Sequence, residues 1–203
     1  MAKLYFRYST MGAGKSLQLM AAAHNYNERG MAPLILNYKG DTRYGDGKVA
    51  SRTGLQMDAE LFSEETHFIR DFDALNTWQK KPDAIFIDEA QFLTGQQVEQ
   101  LHDIATHWSI PVLCYGLRTD FLGRLFEGSY ALMAHAETIE EIKTICDCGC
   151  KATHVRRYKE GVVQTTGDVI QIGDLEYKPM CYSCFRAEDI SEADKTSLEE
   201  NGK

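Results

Sequence analysis

The most informative part of this chain is the stretch Ser9-Thr10-Met11-Gly12-Ala13-Gly14-Lys15-Ser16. It follows an alternating apolar run, Leu4 to Tyr8, that predicts a strand, and it precedes a segment with helical spacing. A strand, a glycine-rich turn and a helix in this order are typical of a P-loop, in which backbone N–H groups surround phosphate oxygens. The alternative is a surface turn that happens to carry Gly-Lys-Ser, but the flanking strand and helix favour a phosphate site.

Within this P-loop the residues have distinct expected tasks. Lys15 is expected to contact β- and γ-phosphate oxygens, and the Ser16 hydroxyl is expected to ligate Mg²⁺. Ser9 stands where the pattern has its first glycine, so Gly12 and Gly14 must supply the remaining backbone freedom. The helix that follows would point its partially positive N-terminus at the same phosphates, which adds a second favourable interaction.

The composition is that of a globular, soluble chain. Its 203 residues are 43% hydrophobic and 26% charged, enough for one sizeable core and a small appendage, and the net charge is -8. This negative balance argues against a general nucleic-acid or anionic-membrane surface. No apolar run approaches the roughly 20 residues of a membrane span, and the start lacks a signal-peptide pattern. We therefore expect a cytoplasmic protein that binds neither nucleic acid nor membrane.

A charged loop is predicted after the second strand. Pro33 to Tyr38 is a short apolar run that suits a buried parallel strand, and the glycine-rich segment Gly40 to Lys48 predicts a mobile loop at its carboxyl end. Ligands of α/β sheets collect at such ends. Asp41 and Arg43 could face the substrate, with Arg43 neutralising a transferring phosphate, or could form an exposed ion pair. The sequence leaves both interpretations open.

A pair of adjacent acids carries the second chemical signal. The apolar run Ala84 to Ile87 ends in Asp88 and Glu89, the arrangement of a Walker B element. Asp88 would hold Mg²⁺, and Glu89, on the opposite side of the strand or lifted by the turn, could accept a proton from an attacking hydroxyl. The alternative is that both acids merely precede the amphipathic helix predicted from Thr94 to Trp108. Together with the upstream P-loop, they favour a nucleotide site.

The remaining periodicity completes an α/β pattern. Phe68 to Lys80 predicts an amphipathic helix, Pro111 to Tyr115 a further buried strand, and the apolar run from Leu125 to Met133 either a packed helix or a pocket wall. We therefore predict a P-loop NTPase-like parallel sheet with helices on both faces, formed by residues 1–145.

The composition changes at Cys146, where the cysteines begin to cluster. Cys146 and Cys148, and later Cys181 and Cys184, bracket a hairpin-like region, which predicts a closed, structural four-thiolate zinc site. Cys150 is an alternative ligand, and reduced thiols or a redox pair are alternative interpretations. Residues 146–186 are thus expected to form a small zinc-bound β-rich domain. The acidic tail, residues 187–203, is expected to be disordered.

These residues together resemble the type II thymidine kinases, bacterial and cytosolic enzymes with a P-loop domain and a zinc-bearing lasso. The resemblance covers nearly the whole chain, and its motifs appear in the expected order. They are Leu4-Tyr5-Phe6, Met11 with Ala13-Gly14-Lys15-Ser16, Asn25-Tyr26 with Glu28-Arg29-Gly30-Met31, Asp41-Thr42-Arg43, Asp88-Glu89-Ala90-Gln91-Phe92-Leu93 and Cys114-Tyr115-Gly116-Leu117-Arg118-Thr119-Asp120-Phe121.

The resemblance implies transfer of the ATP γ-phosphoryl group to the 5′-hydroxyl of thymidine, with Glu89 as general base. Nucleotide contacts would come from residues 9–16, Asp88 and Gln91. Around the nucleoside it implies Asp41, Arg43, Phe92, Leu117, Phe121 and Phe126. A lasso would close over thymine through Tyr177 and through the main chain of Val169, Ile170, Gln171, Ile172 and Gly173.

The resemblance also implies a homotetramer in nucleotide salvage for DNA synthesis, inhibited by dTTP, with acceptance of deoxyuridine left open. Two departures concern the metal, because Cys150 is an extra thiol and some relatives have His where Cys184 stands. One competing interpretation is a nucleic-acid-dependent ATPase, since residues 88–91 resemble a helicase box, but the acidity and small size count against it. Another is a zinc-stabilised module that binds ATP without turnover, which would leave Glu89 without a task.

Overall fold

A computed structural model describes residues 1–43, 45, 47–73, 81–168 and 175–188. Its strands are β1 Leu4–Ser9, β2 Pro33–Tyr38, β3 Lys48–Ala50, β4 Gln56–Asp58, β5 Glu60–Phe62, β6 Ala84–Ile87, β7 Val112–Leu117, β8 Thr138–Glu141, β9 His154–Lys159, β10 Val162–Val163 and β11 Leu175–Met180. Its α-helices are α1 Lys15–Asn27, α2 Phe68–Asp73, α3 Gly95–His107, α4 Glu127–His135 and α5 Tyr182–Ala187, and a 3-10 turn spans Ala90–Phe92.

The core of the molecule is a six-stranded sheet in the order β5-β2-β6-β7-β1-β8. Every neighbouring pair in it is parallel. Alternating residues of the central strands face opposite sides, so that Ile85 and Ile87 pack with α3 and α4 while Phe86 packs with α1. Both faces of a parallel sheet must be covered, which explains why β6 is apolar throughout. The predicted α/β fold, with helices on both faces, is confirmed.

The helix boundaries follow from local sequence. α3 begins after Thr94, whose hydroxyl accepts the N–H of Gln97 while the Gln97 side chain accepts the N–H of Thr94, a capping box. α1 begins after Gly14 and is followed by Gly30, which has a left-handed φ of 71°. For the helix predicted over Phe68 to Lys80, the structure has α2 over Phe68–Asp73, and residues 74–80 lie outside the described part.

Five strands were not predicted: β3, β4, β5, β8 and β11. The hairpin of β3 and β4 follows the predicted loop, whose residues 44 and 46 lie outside the described part, and Lys48 belongs to β3. Each strand of this hairpin is only three residues long, too short for an alternating pattern to appear. β8, with the sequence Thr-Ile-Glu-Glu, is polar because it is the edge strand beside β1.

A second, antiparallel sheet is formed by β10, β9 and β11. Together with α5 it carries a small core of its own, to which Tyr158, Met180 and Phe185 contribute. The predicted β-rich character of this region is therefore correct. Of the predicted acidic tail, residues 187 and 188 are described at the end of α5, and residues 189–203 lie outside the described part.

Gly128, the second residue of α4, lies where the helix meets the 3-10 turn. A Cβ there would lie 2.6 Å from the carbonyl oxygen of Leu93, 2.7 Å from that of Ala90 and 2.9 Å from that of Gln91. Backbone atoms cannot yield as a flexible side chain can, so α4 approaches the turn this closely only because residue 128 is glycine.

We expect Gly128→Ala to lower the free energy of unfolding by about 1–3 kcal/mol, because overpacking outweighs the roughly 1 kcal/mol that alanine gains in helix propensity. Denaturant unfolding measures the difference. Gly95→Ala is the matched control, since Gly95 is the first residue of α3 and its nearest atom would be Glu127 Oε1 at 3.8 Å. A Gly128→Ala protein as stable as the control would contradict this packing.

Candidate functional site

A cavity of about 550 Å³ opens at the carboxyl edge of the parallel sheet, within the usual range for small-molecule sites. The segments that follow β1, β2, β6 and β7 form most of it. The antiparallel sheet of β10, β9 and β11, hereafter the lasso sheet, contributes one side. Its lining includes, from the predicted residues, Met11, Gly12, Gly14, Lys15, Ser16, Asp41, Arg43, Glu89, Gln91, Phe92, Leu117, Phe121, Phe126 and Tyr177.

The P-loop has the predicted backbone. Gly12 and Gly14 both have left-handed φ angles, 77° and 83°, as the turn requires. Lys15 is only 9% exposed, and its Nζ donates to the Ser9 hydroxyl and the Thr10 carbonyl oxygen, each at 3.1 Å. Ser9, which replaces the usual glycine, thus supports the lysine. Burial lowers the pKa of Lys15, while the nearby carboxylates of Glu89 and Asp88 act to raise it.

Asp88 lies buried beneath the P-loop at 3% exposure and does not line the open cavity. Its Oδ1 accepts the N–H of Glu89 at 3.0 Å, and the Ser16 side chain lies beside it. Burial, reinforced by the charge of Glu89, raises the pKa of Asp88 to about 7. A serine hydroxyl beside a buried carboxylate is the donor set that fits Mg²⁺ in P-loop proteins, since the cation would stabilise the ionised acid.

Glu89 is lifted out of the strand by the turn, which decides between the two placements that the sequence allowed. Its backbone is left-handed, with φ at 51°, a conformation that costs a non-glycine residue free energy and is typical of functional positions. The carboxylate is held from two sides: its Oε1 accepts from Arg43 at 2.5 Å, and its Oε2 accepts from the Gln91 amide. The side-chain oxygen of Gln91, Oε1, in turn accepts the N–H of Leu117 at 2.9 Å.

Asp41 and Arg43 form the ion pair that was one of the two interpretations left open by the sequence, and they also lie where the other interpretation would need them. They form a bidentate pair, with Arg43 Nε 2.6 Å from Asp41 Oδ1 and Nη2 2.9 Å from Oδ2, and both also line the cavity. Burial favours the neutral acid, but the hydrogen bonds and charge of Arg43 outweigh it and lower the pKa of Asp41. Asp41 therefore fixes a guanidinium that also reaches Glu89.

The wall opposite the phosphate cradle is apolar. Phe92 packs against Tyr38 with ring centroids 4.5 Å apart and against Phe126 at 5.7 Å, edge to face. Leu117 is fixed by its carbonyl oxygen, which accepts from the Ser129 hydroxyl at 2.6 Å. These contacts give the wall a defined shape, as a flat nucleobase would need. Of the predicted lasso contacts, Tyr177 lies at the cavity, and residues 169–173 lie outside the described part.

The cavity also contains residues that the sequence analysis missed, chiefly Tyr38, Arg52, Asp120 and Val155. Arg52 follows β3, and its Nη1 would lie 3.7 Å from a Cβ at Gly12, so it is beside the P-loop. Nothing in its local sequence signals this position, because it depends on how the β3–β4 hairpin folds back. Val155 could have been found from the alternation of the predicted hairpin.

Four cysteine sulfurs meet at the base of the lasso sheet. The Sγ atoms of Cys146, Cys148, Cys181 and Cys184 lie within 4.8 Å of one another, and those of Cys148 and Cys181 are 3.6 Å apart. Tetrahedral zinc with Zn–S bonds of about 2.3 Å needs sulfurs about 3.8 Å apart, so the cluster fits the predicted ion. Cys150 is exposed and outside this cluster, and its carbonyl oxygen accepts the N–H of Cys146.

Among the described residues, no helix is both long and apolar enough to cross a membrane.

Comparisons with known proteins identify the family of this chain. The family model described as thymidine kinase matches residues 2–185. A thymidine kinase of Vibrio parahaemolyticus is 52% identical over 188 residues, covering 92% of this chain and 97% of the relative, and one of Mannheimia succiniciproducens is 50% identical with 92% and 96% covered. The solved Pif1 helicase of Candida albicans aligns with a TM-score of 0.42 and 14% identity over 71% of this chain and 36% of that chain, too distant to support a conclusion. By its family model and its relatives, this chain belongs to the thymidine kinase family.

Proposed function

We propose that this protein transfers the γ-phosphoryl group of ATP to the 5′-hydroxyl of thymidine and so serves nucleotide salvage. The observation that carries the proposal is the meeting, in one cavity, of a P-loop with a carboxylate and an apolar aromatic wall. The family and the relatives named thymidine kinase supply the substrate. An acceptor hydroxyl between Lys15 and Phe92 would lie near Glu89, which is what phosphoryl transfer to a nucleoside requires.

The phosphates of ATP would be held by the backbone N–H groups of residues 9–16 and by Lys15. Arg43 and Arg52 would add positive charge where the transferred group becomes most negative. Ser16 and Asp88 would hold Mg²⁺, which neutralises phosphate charge when it is bound. Since phosphoryl transfer needs little covalent help from the protein, holding donor and acceptor in line supplies most of the rate.

Glu89 would act as the general base. Its carboxylate accepts hydrogen bonds from Arg43 and Gln91, which fix its direction. A 5′-hydroxyl within reach of this carboxylate could give up its proton as the phosphoryl group arrives. The Gln91 side chain also accepts the N–H of Leu117. One side chain therefore positions both the general base, Glu89, and one wall of the nucleoside site.

Thymidine would lie against the aromatic wall. Asp41 and Arg43 would be on its 5′ side, and its base and sugar would be surrounded by Leu117, Phe121 and Phe126. Tyr177 and the main chain of residues 169–173 would close over the base, as the resemblance implies. We also propose, on the resemblance alone, a cytoplasmic homotetramer inhibited by dTTP, whose base and triphosphate could occupy both halves of the site. Acceptance of deoxyuridine is left to the substrate panel described below.

The four-cysteine cluster would hold a structural zinc ion, since four thiolates leave no open coordination position for chemistry. The first pair precedes the lasso sheet and the second follows it, so the ion would join the two ends of the recognition segment. Its contribution to recognition would be indirect: it lowers the entropy lost when that segment orders over the base.

Glu89→Gln tests the proposed chemistry. The variant keeps the shape and can still hydrogen-bond the 5′-hydroxyl, but it cannot accept the proton as a carboxylate does. We expect kcat for thymidine to fall by about 10²–10⁴-fold with little change in thymidine affinity. The measurement is ATP consumption and nucleoside monophosphate formation with thymidine, deoxyuridine and deoxycytidine. A variant as fast as the parent would place the base elsewhere.

The same assay separates the competing function. If the parent consumes ATP only when single-stranded DNA is added, and forms no thymidine monophosphate, the protein is a nucleic-acid-dependent ATPase and the kinase proposal is wrong.

Asp88→Asn tests the metal site through stability as well as rate. The folded pKa of Asp88, about 7, lies above the ordinary aspartate value of 3.8 expected in the unfolded chain, so without metal this group destabilises the fold progressively as pH rises from about 4 to 7. The neutral variant should therefore have a higher thermal midpoint than the parent in EDTA at pH 8, and the difference should shrink towards pH 4. Mg²⁺ should raise the midpoint of the parent more than that of the inactive variant. Equal responses to Mg²⁺ would remove Asp88 from the metal site.

Cys181→Ser tests the zinc proposal. The variant should lose zinc and bind thymidine more weakly, while ATP binding changes little, because the metal joins the ends of the lasso and not the P-loop. Metal analysis with nucleoside and nucleotide titrations measures this. Cys150→Ser, at an exposed thiol outside the cluster, should keep zinc and both affinities. A zinc-free Cys181→Ser protein with normal thymidine affinity would show that something else orders the lasso.

A further inference from the structure

Two consecutive arginines of β9, Arg156 and Arg157, are each only 1% exposed. Neighbouring residues of a strand face opposite sides, and these two guanidinium groups have different surroundings. That of Arg156 lies over the ring of Phe185 at 3.7 Å and donates to the Phe185 carbonyl oxygen at 2.6 Å, on the side of α5 and the cysteine cluster. That of Arg157 lies over the ring of Phe121 at 3.5 Å, on the side of the cavity.

Arg157 joins the cavity wall to residues 166–168, in the segment that follows β10. Phe121 lines the cavity, and so does Tyr177, which is opposite Arg157 in the pairing of β9 with β11. From its place on Phe121 the Arg157 guanidinium donates to the carbonyl oxygen of Asp168 at 2.6 Å and to that of Thr166 at 3.1 Å. Asp168 immediately precedes the segment that is proposed to contact thymine.

The contact needs the particular chemistry of arginine. A guanidinium is planar, so it can stack on a ring with its face and donate to two carbonyl oxygens with its edge, whereas an ammonium group has neither a flat face nor a planar fork of donors. Among the described residues no carboxylate forms an ion pair with Arg157, so its buried charge is stabilised by the ring and the carbonyl oxygens alone. Burying a charge among such partners costs free energy unless the hydrogen-bond geometry is good. The same burial strengthens the hydrogen bonds that the guanidinium does form.

The chain around Arg157 is shaped to accept it. Gly167, between the two acceptor carbonyls, has a φ of +115°, and a Cβ there would lie only 2.7 Å from Arg157 Nη2. The segment therefore wraps closely around the guanidinium, with a backbone angle that favours glycine at this position.

We propose that Arg157 is a positioning residue for nucleoside recognition: it holds residues 166–168 against Phe121 so that the lasso and the cavity wall form one fixed surface for the base. This inference rests on the proposed kinase function. Arg157 does not line the cavity itself, and the P-loop, Asp88 and Glu89 lie on other elements. Its effect should therefore fall on thymidine and not on ATP.

The first test is Arg157→Lys in the full-length enzyme, which keeps the charge and loses the stack and the forked donors. We expect KM for thymidine to rise about tenfold or more, as when a charge-assisted hydrogen bond is lost. The KM for ATP, the zinc content and kcat at saturating thymidine should stay close to the parent values. Arg156→Lys is the matched control, because it makes the same change at an equally buried neighbour. It should lower the thermal midpoint without changing KM for thymidine.

The second test reaches the same contact from the other side. Gly167→Ala should also raise KM for thymidine, and the double variant with Arg157→Lys should be little worse than the worse single variant, because both break one contact. Gly161→Ala controls for backbone strain, since Gly161 also has a left-handed φ, 78°, but nothing within 4 Å of an added Cβ. It should leave KM for thymidine unchanged.

The outcomes are distinguishable. A parent enzyme that does not phosphorylate thymidine overturns the proposed function and this inference with it. An active parent with an unchanged KM for thymidine in Arg157→Lys overturns only the inference. It is also overturned if KM for thymidine and for ATP rise together, or if Arg156→Lys raises KM for thymidine equally, because the role of Arg157 would then be structural support alone.

Discussion

The parallel register of three strands determines where the chemical groups of this protein can lie. Phe6 of β1 pairs with Cys114 of β7, and Cys114 pairs with Ile87 of β6. The residues that follow these positions therefore emerge at one edge of the sheet, with the P-loop on one side and Asp88 on the other. Side chains buried on both faces prevent the strands from sliding, since a shift of one residue would reverse every inward and outward position.

The two halves of the proposed site, one for phosphate and one for the nucleoside, are built by different means. Its phosphate half is attached to the sheet and is dense in buried charge, with Lys15 and Asp88 at 9% and 3% exposure. Buried charges lower the stability of the fold unless a ligand of opposite charge binds to them. Sites of this kind commonly lower stability in return for activity. The nucleoside half combines a rigid aromatic wall with a separate antiparallel sheet. It can therefore vary in selectivity without disturbing the phosphate half.

The sequence indicated most of the residues proposed to hold phosphate, because a P-loop and an apolar strand ending in two acids are local patterns. It left Asp41 and Arg43 undecided, since only the fold shows that one pair can line a cavity and reach Glu89. It missed the β3–β4 hairpin and, with it, the position of Arg52. Arg157 was also unassigned: a basic residue in a hairpin usually reaches solvent, and only the packing of Phe121 against β9 buries it. Long-range contacts of this kind leave no periodicity in the sequence.

A metal held by the two cysteine pairs would turn residues 149–180, between Cys148 and Cys181, into a closed loop. The entropy of closing a loop grows only with the logarithm of its length, about 0.6 kcal/mol for each doubling. A ring of this size can therefore gain or lose several residues with little effect on the stability of the fold. If a metal closes the ring, the segment that meets the base is free to diversify in length as well as in sequence, while the catalytic sheet stays under strict constraint.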